Sequence, residues 1–254
     1  MDFGRPIGSF SKHPSVSVIL LPIPTEEAVL AIDSRQKALW LYELHLNGFV
    51  VLRNFLPLDL VQDMYEQIWP LYLGERAKVE SGDTSTLRMS NRMSFDIRPY
   101  VDHLKGPLDD DRFRRNPVIE ELASEVLGRW RYGVTKVECP LKDAAMMPWH
   151  PDVPNDQPRG RLEPVRSTRL TFNVPLVDIN DANGPMEVIP GSHRMHHYGA
   201  QAYIYGIPKI YSVKVLLNRT DAMLRDGNLL HRGTPNMTDQ PRILLDQTYR
   251  ALEE

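Results

Sequence analysis

A mainly β fold, a sandwich or barrel with helices packed outside one sheet, is what this 254-residue chain predicts. Helical spacing is confined to the first half. Beyond Gly133, short apolar runs follow one another, VTKVEC, STRLTFNVPL, PMEVIPG, YSVKVLL, GNLLH and RILLDQTY, each closed by Gly, Pro, Asn or Asp. No segment repeats at a fixed period, which argues against a solenoid, and helices followed by many strands favour a β core with a helical flank.

Residues 1–36 are rich in proline and small polar groups and read as an irregular N-terminal arm. Residues 37–132 then read as a mainly helical flanking region. Its elements are a helix over Gln36–His45, a strand in GFVVLRNF (48–55), and a second helix from Leu58 to about Trp69 with Asp59 as its N-cap. Gly74–Arg115 is polar and punctuated, and reads as a solvated loop that covers the site as a lid. PVIEELASEVLGRW returns to helical spacing, with Val118, Leu122, Val126 and Leu127 on one face and Pro117 suited to a first turn. Residues 133–250 form the β core, and the whole is expected to be one domain.

Charge is balanced, 30 basic against 33 acidic residues, so neither a nucleic-acid stripe nor a polybasic membrane patch is present. The apolar run Val16–Leu21 is too short for a signal-peptide core or a membrane span. The lone Cys139 has no partner for an internal disulfide. Together these point to a cytoplasmic protein acting on small molecules.

The stretch MPWHPDVPND places His150 and Asp152 two positions apart, directly after the first strand of the β-rich half. Such a pair alone is close to a chance occurrence. A metal site needs a further ligand from another strand, and His193, His196, His197 and His231 lie downstream. His231 fits best, because GNLLHRGTPN reads as an apolar strand ending in a histidine at a turn. Two imidazole nitrogens and one carboxylate oxygen on one face of an octahedron leave three open positions, an arrangement that suits non-haem Fe(II). Arg242, eleven residues after His231, opens the apolar run RILLDQTY, and its guanidinium fork can hold the carboxylate of an organic acid that also chelates the metal.

Taken together, LNGFVVLRNFLPLDLVQDMYEQI, PWHPD, PLVDINDANGPMEVIPGSH and LRDGNLLHRGTPNMTDQPRILLDQTY resemble the phytanoyl-CoA dioxygenase family of Fe(II)- and 2-oxoglutarate-dependent oxygenases. The resemblance implies a double-stranded β-helix, a jelly roll, with His150, Asp152 and His231 as the iron ligands. It implies Arg242 on the far carboxylate of 2-oxoglutarate and dioxygen as co-substrate. Asn173 stands where the family often has tryptophan beside the co-substrate, and Thr135 aligns with another co-substrate contact. Gly233 replaces a frequent serine or threonine. A basic residue from the N-terminal half is also expected at the site, either Arg92 or Arg98. The implied reaction is hydroxylation or another oxidation of a small metabolite, with succinate and CO2 as co-products. Halogenation is disfavoured because Asp152 keeps the carboxylate. The alternatives are a non-catalytic binding jelly roll and a cupin-like Zn or Mn enzyme.

Overall fold

The computed structural model describes residues 32–89, 91–98, 106–153, 166–195 and 211–252. Its first helix, α1 (Ser34–Asn47), is capped by Asp33, whose carboxylate accepts from the N–H groups of Arg35 and Gln36. Gly48 ends it in the left-handed region with φ 82°, a conformation that glycine adopts without cost. The chain then enters β1 (Phe49–Leu52) and α2 (Leu58–Glu80). Pro57, not Asp59, occupies the N-cap; Asp59 sits inside the first turn, where its charge still suits the positive end of the helix. α2 also runs through Pro70 instead of stopping at Trp69. Tyr72 beyond the proline is fully buried and packs against Trp69, so tertiary contact outweighs the lost hydrogen bond.

The polar segment after Gly74 contains the largest departure from expectation. Two strands lie within it, β2 (Leu87–Arg88) and β3 (Arg92–Asp96), and β3 pairs with β4 (Trp130–Pro140) in register Arg92 to Pro140 and Asp96 to Lys136. Between them comes α3 (Pro117–Leu127), capped by Asn116, which accepts from Val118 and Ile119 N–H groups, a cap worth about 1 kcal/mol.

β5 (Arg169–Pro175), β6 (Met186–Val188), β7 (Val213–Val215), β8 (Ala222–Asp226), β9 (His231–Gly233) and β10 (Leu244–Ala251) complete the fold. Among the described residues, one antiparallel sheet of seven strands has the order β1-β8-β5-β10-β4-β3-β2, and a second of three has the order β7-β6-β9. The β core therefore does not begin at residue 133, since three strands of the large sheet come from the first hundred residues. β9 begins at His231; the GNLL that precedes it is turn. The architecture is the jelly-roll type.

Alternation sorts the large sheet's two faces. Met93, Phe95, Val137, Cys139, Leu170, Phe172, Val174, Leu224, Leu245 and Tyr249 join the cluster that receives Leu44, Met64, Ile68, Ile119 and Leu122 from the helices. The opposite face looks toward the small sheet, with Leu244 and Met223 packing there on Val188, Val215 and Leu229. Each fully buried aliphatic chain contributes about 1.5–3 kcal/mol. Where this inner face turns polar, it lines a cavity of about 640 Å³. Among the described residues, no helix is long and apolar enough to cross a membrane.

Candidate active site

His150 and His231 meet as an isolated antiparallel bridge. They exchange both backbone hydrogen bonds, at 3.1 and 3.0 Å. Residues paired in this way project side chains to one side, and their rings lie 4.5 Å apart between centroids. Asp152 is anchored by its N–H to the Gly227 carbonyl at 2.8 Å. One ligand atom each from His150, Asp152 and His231 fall within 4.8 Å of one another. Both histidines hold Nδ1 2.9 Å from a backbone carbonyl, Pro148 for His150 and Leu229 for His231. A carbonyl only accepts, so Nδ1 carries the proton and Nε2 keeps its lone pair for a metal. Burial, helped by the charge of Arg225, pushes His231 down to about 3, so no proton competes at Nε2 at neutral pH.

Asp152 is prepared by its neighbours. Burial alone would push its carboxyl up, but Arg225, His231 and Lys136 outweigh that and hold it well below the usual carboxylate range. Arg225 Nη1 lies 2.7 Å from Oδ2, which leaves Oδ1 facing His231 Nε2 at 3.6 Å. Arg225 is itself fixed from behind: its Nε donates at 3.0 Å to the side-chain oxygen of Asn173, whose amide nitrogen donates to the Asp246 carboxylate. Asn173→Ala is expected to loosen Arg225 and weaken Fe(II) binding about 10–100-fold, as loss of a group behind a metal ligand does. Isothermal titration with Fe(II) under anaerobic conditions checks this, and an unchanged affinity would refute it.

Along the same wall stand Arg92 and Arg242, both buried. Among the described residues, Arg242 has Nε and Nη1 buried without a partner, and Arg92 has Nε likewise. Arg92 Nη2 is tethered to the carbonyls of Thr234 at 2.7 Å and Ala145 at 3.1 Å. Burial and the positive charge of Arg242 pull Arg92 down to about 10, still cationic at neutral pH. Two adjacent buried guanidinium groups with donors to spare form a seat for a carboxylate. Gly233 creates the room: a Cβ there would stand 2.5 Å from Arg92 Cζ and 2.6 Å from Nη1. Gly233→Ser is accordingly expected to displace Arg92, weaken binding of a dicarboxylate such as 2-oxoglutarate about tenfold and destabilise the fold by about 1–3 kcal/mol. Anaerobic titration with 2-oxoglutarate and a melting curve test it; a serine variant with wild-type affinity would mean that Arg92 takes no part.

The sequence profile of the family described as Phytanoyl-CoA dioxygenase (PhyH) matches residues 44–244. The chain belongs to the phytanoyl-CoA dioxygenase family. As a member of it, the chain is 25% identical over 184 residues to the ectoine dioxygenase of Bordetella parapertussis, a match that covers 61% of this chain and 57% of that protein. The chain thus matches less than two thirds of that relative's length. In structure, this phytanoyl-CoA dioxygenase family member resembles EctD from S. alaskensis with bound Fe, at TM-score 0.61 and 22% identity, covering 89% of this chain and 79% of EctD. It also resembles the epimerase SnoN from nogalamycin biosynthesis, solved with Fe3+, alpha ketoglutarate and nogalamycin RO, at TM-score 0.60 and 21% identity, covering 86% and 85%.

Within this family member, Arg92 and not Arg98 lines the cavity, and Arg88 from the N-terminal half lines it as well. Arg98 is half-exposed and pairs with Asp96. Thr135 does not line the cavity. Strand parity turns it to the face of Val137 and Cys139, where its hydroxyl donates to Gln247, while Val134, Lys136 and Glu138 face inward. A register shift opposite Gln247–Tyr249 sets this parity. Asn173 lies on the inner face but behind Arg225, so it touches the site through that arginine. His193 is buried beside Gly48, its Nε2 3.2 Å from the His45 carbonyl, and serves packing. His196 and His197 fall outside the described residues. Arg225, Asp246 and Lys136 were not anticipated; the only trace of Arg225 in the sequence is a charged pair closing the apolar AMLRD.

Proposed function

We propose that this protein is an Fe(II)- and 2-oxoglutarate-dependent dioxygenase, acting as a single domain on an unactivated C–H bond of a small metabolite, with succinate and CO2 as co-products. The observation that carries this reading is the joint placement, around one cavity, of the three-ligand cluster and the two guanidinium groups without carboxylate partners. The donor set fits the ion: two neutral imidazole nitrogens and one ionised carboxylate oxygen converge from one side and leave the cavity side for other ligands. When bound, ferrous iron supplies oxygen activation coupled to decarboxylation of the co-substrate.

The protein's own residues do the rest. His150 and His231 present Nε2, with Nδ1 locked by backbone carbonyls. Arg225 takes one oxygen of Asp152 and leaves the other facing His231, where it would hold the metal. Arg242 and Arg92 hold the distal carboxylate of 2-oxoglutarate and orient its keto acid toward the ligand cluster. Met147, Met186, Val134 and Leu244 narrow the cavity with apolar surface and keep bulk water from the reacting centre. Because Asp152 keeps its carboxylate in the cluster, oxygenation is favoured over halogenation. The test is succinate formation from 2-oxoglutarate under air, dependent on added Fe(II) and abolished by chelation with EDTA. Absence of succinate formation with Fe(II), together with no 2-oxoglutarate binding in anaerobic titration, would overturn the proposal in favour of a non-catalytic binding protein.

A further inference from the structure

The two arginines assigned to the co-substrate are not the only cations in the cavity. Among the described residues its lining holds seven cationic side chains against four carboxylates. Arg225 is committed to Asp152 and Lys136 to Glu138 and Asp246. Arg169 and Arg250 have no carboxylate partner among the described residues. They are direct register partners on β5 and β10, and Arg131 on β4 faces Arg250 from the other side. Three arginines thus lie abreast on three neighbouring antiparallel strands, whose spacing is about 4.8 Å. Like charges directly opposite one another destabilise a sheet unless something neutralises them.

The local structure makes space for this row. A Cβ on Gly133 would lie 3.1 Å from Arg250 Nε, and one on Gly227 would lie 2.9 Å from Arg169 Cβ and 3.2 Å from its Cδ. Arg250 Nε is buried with no hydrogen-bond partner among the described residues. Arg169 Nη1 donates to the backbone carbonyl of Asp152 at 3.1 Å, which brings this guanidinium against the loop that carries the carboxylate ligand. On the inner face of β10, Asp246 stands midway between Arg242 and Arg250 in sequence. Arg250 lies four residues along the strand from it, roughly 13 Å at about 3.3 Å per residue, and Arg242 lies on its other side in sequence, just before the strand begins. One end of the cavity is suited to the co-substrate; the other has its own cationic end.

We propose that the substrate carries an anionic oxygen group, a phosphoryl or a carboxylate, held by Arg169 and Arg250 with Arg131 at the exposed rim, and that the oxidised carbon lies a few bonds from that group. This rests on the oxygenase reading for the word substrate, while the anion seat itself is testable without turnover.

The experiment is calorimetric titration of metal-free protein with inorganic phosphate and, separately, acetate, at ionic strength held constant with NaCl. Saturable binding is expected, weakened at least tenfold in Arg169→Gln and in Arg250→Gln and retained in Arg242→Gln. Tighter binding of phosphate assigns a phosphoryl group, and tighter binding of acetate assigns a carboxylate. No binding to the wild type, equal affinity in the Arg169 and Arg250 variants, or loss only in Arg242→Gln would overturn the proposal. A melting curve without added anion supplies an independent reading: relief of repulsion should leave Arg250→Gln at least as stable as wild type at low salt. A lower melting temperature would show that the row is already neutralised within the chain.

Discussion

Alanine at His231 is expected to abolish Fe(II) binding and with it 2-oxoglutarate turnover, a loss greater than the roughly 100-fold that follows removal of a group behind a ligand. His231 contributes both a donor atom and, through its backbone, the reciprocal hydrogen bonds that position His150. The alanine variant keeps those backbone bonds, so the defect should be confined to the metal. Far-UV circular dichroism and melting temperature of the metal-free protein should match wild type, while anaerobic Fe(II) titration shows no saturable site. His150→Ala should behave in the same way. Undiminished succinate formation in either variant would sink the assignment of the three ligands.

The second large effect is expected at Arg242. Removing a buried, hydrogen-bonded charge partner of a carboxylate typically costs about 2–5 kcal/mol, or roughly 30-fold and upward in affinity. Arg242→Ala should raise the KM for 2-oxoglutarate by at least that factor and leave Fe(II) affinity near wild type. Arg242→Lys should fall between, because an ammonium supplies charge without the two-pronged fork. Arg92 remains in the alanine variant and, freed from the charge beside it, becomes a stronger base. The residual binding should therefore vanish in the double variant with Arg92→Ala. An Arg242→Ala enzyme with unchanged KM and reduced kcat would place the co-substrate elsewhere.

Much of the site was legible because its chemistry is concentrated in short, unusual words. His150 and Asp152 sit between prolines, and His231 and Arg242 interrupt apolar runs where a charge or an imidazole needs a reason. What escaped notice follows from one physical circumstance: the inner face of the large sheet is buried yet polar. In β3 the inward residues are Arg92, Ser94 and Asp96, and the residues facing the helices are Met93 and Phe95. The alternation is real, but five residues of it, inside a polar segment, read as loop. β8 was hidden for the same reason, since Arg225 and Asp226 are buried charges that mimic a turn. Thr135 was misjudged because a register shift inverts which residues of β4 look inward, and no single residue announces a bulge. The length of α2 depended on Tyr72 finding a buried place beyond Pro70, a fact of packing rather than of local preference.

The bridge between His150 and His231 has a thermodynamic side as well. Two amide hydrogens are shared by two segments that touch there as an isolated bridge rather than as a continuous ladder. A metal held by both imidazoles would act as a clasp across that seam, because parting the strands would then require breaking coordination bonds too. The amides of His150 and His231 should consequently become slow to exchange with deuterated solvent when metal is present, making a pair of backbone protons a gauge of occupancy that needs neither substrate nor oxygen.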